Sequence, residues 1–135
     1  PPFILAMTAA AMEYEVHVYF TFWGMDIINK NKIDNLKIPA VGNPGMPIPT
    51  IIGIVPGMTR IATWMMKKQI KRGGFPEIKD AIKMAKENGA KLHACEPTMN
   101  VMGIKKEDLI DEVDDIIGAA TYLDLAKDAD ISLFI

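Results

Sequence analysis

Two hydrophobic periods alternate along this chain, one helical and one extended. Ile78, Ala81, Ile82 and Ala85 fall at i, i+3, i+4 and i+7, so residues 76–88 predict a helix that Gly89 closes. Residues 59–71 predict another, with Ile61, Trp64, Met65 and Lys68 on one stripe and Lys67, Lys71 and Arg72 on the other side. Residues 3–12 form a small-residue run that reads as a helix buried on several sides. The extended signals lie between these. Residues 16–22 are β-branched and aromatic, residues 90–95 follow an Asn-Gly pair, Ile116-Ile117 is a short strand, and residues 131–135 predict a terminal one. Shorter helical turns are expected at residues 23–28, 98–101, 105–111 and 118–127.

Strands alternating with helices predict an α/β architecture, a mainly parallel sheet with helices on both faces. A chain of 135 residues is long enough for one domain with a proper core and too short for two. The opening is unusual, because a buried helix in such a domain normally follows a strand, whereas here it follows Pro1-Pro2. A first strand ahead of residue 1 is therefore expected, outside this chain.

Residues 38–58 have a different texture, with five prolines and four glycines among Met, Ile and Val. Twenty-one largely apolar residues raise the question of a membrane span, but the prolines would leave backbone groups unsatisfied in lipid. The expected role is a lid or arm packed on a neighbouring subunit, with a shallow peripheral membrane contact as the alternative.

Composition narrows the chemistry. A formal charge of −2 gives no electrostatic reason for nucleic-acid binding. One cysteine cannot form an internal disulfide, which fits a reducing, cytoplasmic setting. His17 and His93 have no partners at metal-ligand spacing beyond the His93/Cys95 pair, Gly53 and Gly57 lack phosphate-loop context, and the acidic run from Glu107 to Asp115 does not fit a calcium loop. No metal or cofactor is expected. The ten methionines read as core or interface filler, with Met99 and Met102 placed to line the surroundings of the cysteine.

That cysteine, Cys95, ends a predicted strand and precedes Glu96-Pro97, where Pro97 suits the first turn of a helix. Ligands of α/β proteins gather at the carboxyl ends of strands, and helix amino termini favour anions, so a thiolate is favoured here unless the Glu96 carboxylate opposes it. The residue pattern leaves two readings open: a reactive thiol or a buried inert one. His93, two residues earlier, shares a strand face with Cys95 and is either its hydrogen-bond partner or base, or a packed sheet-edge residue.

The segment Ala94-Cys95-Glu96-Pro97-Thr98-Met99-Asn100-Val101-Met102-Gly103-Ile104 resembles the cysteine motif of the DsrE/DsrF-like family, in the branch with a Ser/Thr-Met-x-x-Met-Gly-Ile segment after the cysteine. Phe20-Thr21-Phe22-Trp23-Gly24-Met25, the helix around Met65-Met66-Lys67-Lys68 and residues 118–135 are similar as well. The resemblance implies a Rossmann-like domain with a five-stranded core, assembled as a homotrimer or higher oligomer. It also implies a sulfurtransferase or sulfur carrier, with a persulfide on Cys95 passed between a protein donor and an acceptor thiol, and Thr98 donating a hydrogen bond at that site. Glu96-Pro97 departs from the smaller residues often found there. The alternatives are a non-catalytic oligomeric binding protein with a passive Cys95, and a thiol peroxidase or other thiol redox enzyme.

Overall fold

The computed structural model describes residues 2–37 and 57–135. The arm expected at 38–58 therefore lies outside the described residues, apart from its last two. The chain divides into two compact units, residues 1–34 with 78–135 and residues 35–77.

The first unit is built on three parallel strands in the order β1-β2-β3: β1 (His17–Phe20), β2 (Lys91–Cys95) and β3 (Asp115–Ile117). Tyr19 pairs with His93 and Phe20 with Ala94, while Cys95 pairs with Ile117, so all three strands end at the same edge. Helix α1 (Pro2–Ala11) precedes β1, and a 3₁₀ segment over Phe22–Ile28 follows it. Helix α3 (Ile78–Glu87) leads into β2, α4 (Glu96–Met102) leaves it, and α5 (Ala119–Ala126) follows β3. This is the parallel α/β, Rossmann-like fold that the hydrophobic pattern and the resemblance led us to expect.

Why α3 hands the chain to β2 is visible in its last turn. Gly89 takes φ +89°, a conformation that favours glycine, and its N–H donates to the Lys86 carbonyl while the Ala90 N–H donates to that of Ala85. These paired bonds satisfy two open carbonyls of the helix and reverse the chain into the strand. The buried stripe of α3 is Ala81, Ile82 and Ala85, three of the four periodic positions read from the sequence, and the fourth, Ile78, packs half-buried against the core.

Strand alternation divides the sheet into two faces. Val18, Phe20, Leu92, Ala94 and Ile116 belong to the core with α1 and α3, where Phe3 and Phe20 approach to 6.0 Å between ring centres. The other face carries His17, Tyr19, His93, Cys95 and Asp115. Tyr19 stacks there on Tyr122 of α5 at 4.5 Å, so helices meet both faces of the sheet.

The strand expected at 131–135 does not form. These residues pair with no strand and are exposed, Phe134 at 94%. Apolar, β-branched character makes a strand only where a neighbouring ladder takes up its N–H and C=O groups. The described residues thus hold three strands of the five implied by the resemblance.

In the second unit, α2 (Met58–Arg72) carries the predicted stripe in solvent: Ile61, Trp64 and Met65 are exposed, and Lys68 lies over the Trp64 ring at 5.1 Å. Ala62 and Thr63 are its buried residues. Among the described residues, no helix is long and apolar enough to cross a membrane.

Candidate functional site

Cys95 is the last residue of β2 and the N-cap of α4, with an extended backbone (φ −77°, ψ 109°). It is 6% exposed. Pro97 lies in the first turn of α4, where its missing N–H costs no hydrogen bond, and Gly103 ends the helix at φ +63°. One turn into α4, Thr98 points back at the sulfur, and its Oγ1–H donates to Cys95 Sγ at 3.2 Å.

Thr98 is itself held from the segment just after β1. Its Oγ1 lies 3.0 Å from Thr21 Oγ1 and accepts from the Phe22 N–H at 3.3 Å. A hydroxyl has one proton to give, so when Thr98 donates to sulfur, Thr21 must donate to Thr98. The result is a directed chain, Thr21 to Thr98 to Cys95, in which each bond polarises the next. Phe22 holds φ +44°, a region that bulky residues avoid, and such a conformation persists only where its surroundings enforce it.

This hydroxyl set decides the electrostatics of the thiol. Burial is the largest single influence on Cys95 and opposes the thiolate. The Thr98 hydroxyl bond, then the nearby Tyr19 hydroxyl, the Thr98 amide and the nearby Thr21 hydroxyl together outweigh it, so the thiol ionises below its ordinary range. The helix terminus that the sequence pointed to contributes one amide of this set, from a helix of only seven residues. Glu96, the anticipated opponent, is exposed to solvent.

Tyr19 occupies the same face of β1, diagonal to Cys95 across the β1–β2 pair. Its hydroxyl is buried and has no hydrogen bond of standard geometry, yet it is near enough to favour the thiolate. In return the phenol titrates well above its ordinary range, through burial first and the neighbouring sulfur second.

His93 is 3% exposed and belongs to a second chain of polar groups. Glu15 Oε1 accepts from His17 Nε2–H at 3.2 Å, and His17 Nδ1 lies 2.9 Å from His93 Nε2. Where His17 Nδ1 accepts from His93 Nε2–H, His93 Nδ1 is left with a bare lone pair. That atom is buried without a hydrogen-bond partner, and Asp115 Oδ2 stands 3.9 Å away. Burial, then the nearby His17, pushes His93 below the usual imidazole range, so it stays neutral.

Of the residues anticipated from sequence, Thr98 meets Cys95 directly, and His93 lies on the same face without a hydrogen bond to it. Met99 packs into the apolar core instead, and Met102 is half-buried one helical turn beyond Thr98. Tyr19, Thr21, His17 and Glu15 were not anticipated at all. Among the described residues, no group of three or more His, Cys, Asp or Glu side chains could hold a metal ion.

The sequence model of the DsrE/DsrF/DrsH-like family matches residues 1–134. This chain belongs to that family. Two relatives cover nearly all of it. The sulfur carrier protein DsrE2 of Allochromatium vinosum is 39% identical over 143 aligned positions, spanning 100% of this chain and 88% of that protein. The uncharacterized protein YrkE of Bacillus subtilis is 30% identical over 145 positions, covering 98% of this chain and 86% of its own length. Within this DsrE/DsrF/DrsH-like fold, the thiol and the hydroxyl chain gather where the three strands end, and the imidazole pair lies further back on the same sheet face.

Proposed function

We propose that this protein is a carrier in a sulfur relay, holding a persulfide on Cys95 between a donor and an acceptor thiol. The observation that carries this reading is the hydroxyl chain that ends on Cys95 Sγ and favours its thiolate against burial. The 39% identical relative named as a sulfur carrier supports it independently. So do Phe22, Trp23 and Val101, apolar side chains exposed around the Thr98 turn, as expected of a surface that meets partner proteins.

In the loading step a lone pair of the Cys95 thiolate attacks the terminal sulfur of a donor persulfide, R–S–SH. A new S–S bond forms, the donor's S–S pair leaves on R–S⁻, and Cys95–S–SH results. In delivery the acceptor thiolate attacks that terminal sulfur, and the bonding pair returns to Cys95 Sγ. No net oxidation occurs, so no cofactor is called for. The same hydroxyls serve both steps, because a thiol of lowered pKa is a larger thiolate fraction when attacking and a better leaving group when departing. A single cysteine suits a carrier, since it leaves no second thiol to resolve the persulfide as a disulfide.

Intact-protein mass spectrometry after incubation with a small-molecule persulfide tests the reading. Wild type is expected to gain one sulfur atom, and Cys95→Ser none. No gain on wild type, or an equal gain on Cys95→Ser, overturns it.

A further inference from the structure

Among the described residues two buried side-chain polar atoms lack a hydrogen-bond partner, Tyr19 Oη and His93 Nδ1. Folded proteins leave few such atoms, and each calls for an explanation. These two belong to a single pair in the β1–β2 register and share a face with Cys95. They are also complementary: the phenol offers a proton, and the imidazole nitrogen, in the tautomer set by His17 and Glu15, offers a lone pair.

What would satisfy both is a small group that accepts one hydrogen bond and donates another. The resting thiol does not, since neither atom has a hydrogen bond to Cys95 Sγ. A terminal S–H one bond further on does. We propose that Tyr19 and His93 form the seat of the transferred sulfur, the terminal sulfur of Cys95–S–SH accepting from Tyr19 Oη–H and donating its proton to His93 Nδ1. This inference rests on the carrier reading and adds the residues that hold the cargo.

An S–S bond extends the reach of Cys95 by about 2 Å beyond Sγ. Tyr19 is placed for that extension by its diagonal position, on the sheet face that carries Cys95. The unloaded protein bears two unpaired polar atoms and the loaded one pairs both, so the seat favours loading over the empty state. Delivery reverses this with atoms conserved: acceptor–S⁻ attacks, the terminal S–H leaves with its proton, and Cys95–S⁻ returns to the Thr98 hydroxyl.

Tyr19→Phe separates the role of the hydroxyl from that of the ring, which keeps its stack on Tyr122. The unloaded variant is expected to melt no lower than wild type, because it loses an unpaired buried hydroxyl. Loaded with a small-molecule persulfide, it is expected to shed its extra sulfur to a fixed concentration of acceptor thiol about ten-fold faster than wild type. Tyr122→Phe, which leaves the seat intact, should match wild type. His93→Gln, which can still donate to His17 but removes the Nδ1 acceptor, should shorten the persulfide lifetime independently. A wild-type lifetime in both Tyr19→Phe and His93→Gln overturns the seat and leaves the carrier reading standing. Failure of wild type itself to take up sulfur overturns the carrier reading, and the seat with it.

Discussion

On one face of the sheet, Phe20, Leu92 and Ala94 are closed off by α1 and α3; one residue along on the same strands, Tyr19, His93 and Cys95 form the other face. The two faces use the same backbone, and His93 and Cys95 are buried as Phe20, Leu92 and Ala94 are, while Tyr19 is half-buried. They differ in what burial achieves. Against α1 and α3 it removes apolar area from water, which is the main source of stability. On the opposite face it holds a thiol, two imidazoles and a phenol in a weakly solvated layer, where hydrogen bonds are strong and an unpaired atom is costly. A period of two residues thus lets one strand serve as core and as chemical site together, provided its register does not slip.

The comparison predicts that damage to the two faces separates into different measurements. Leu92 is fully buried on the core face, and Leu92→Ala should cost about 2–5 kcal/mol in urea or thermal unfolding. Below its melting temperature the variant should still load sulfur at Cys95, because Leu92 points away from the thiol. Loss of loading in a sample that is demonstrably folded would mean that the faces are not independent.

The next effect in size belongs to the other face. Thr98→Val keeps the shape of the side chain but removes the donor to sulfur and breaks the chain from Thr21. The Cys95 thiol should then ionise at higher pH, and its alkylation near neutral pH should slow about ten-fold, while stability moves far less than in Leu92→Ala. An unchanged alkylation rate would assign the reactivity of Cys95 to the backbone of α4 instead.

The core face was largely legible in the sequence, because its signals are local. The stripe of α3, the Gly89 reversal and the apolar run of β2 each lie within a dozen residues. Cys95 and Thr98 were legible for the same reason, three residues apart at a strand-to-helix junction. The rest of the polar face was not. Tyr19, Thr21 and His17 reach their partners from more than seventy positions away, through a parallel register that periodicity does not encode. The group that orients His93 is likewise distant in sequence, His17 on the neighbouring strand. The same blindness misread residues 131–135, where apolar character is present and no strand of the described residues pairs with it.

The smallest expected effect concerns His93 and tests whether its surroundings are as dry as the comparison requires. The groups that bear on its charge are His17 from β1, Asp115 at the start of β3, Asp114 just before it, and Lys91 on its own strand; burial is the first cause and holds it neutral. In the unfolded chain an imidazole protonates near pH 6.5. Between that value and the lower native one, the unfolded state binds the extra proton, so this contribution to stability is complete above about pH 6.5 and is lost as the pH falls. The slope is at most about 1.4 kcal/mol per pH unit. Asp114, whose carboxylate is depressed by Lys86 and the Leu92 amide against burial, adds its own loss only at more acidic pH. Urea unfolding of wild type and His93→Gln across the weakly acidic range should therefore show a slope in the first and a flatter line in the second. Equal slopes would mean that water reaches the imidazole, and the two faces would then differ in composition but not in solvation.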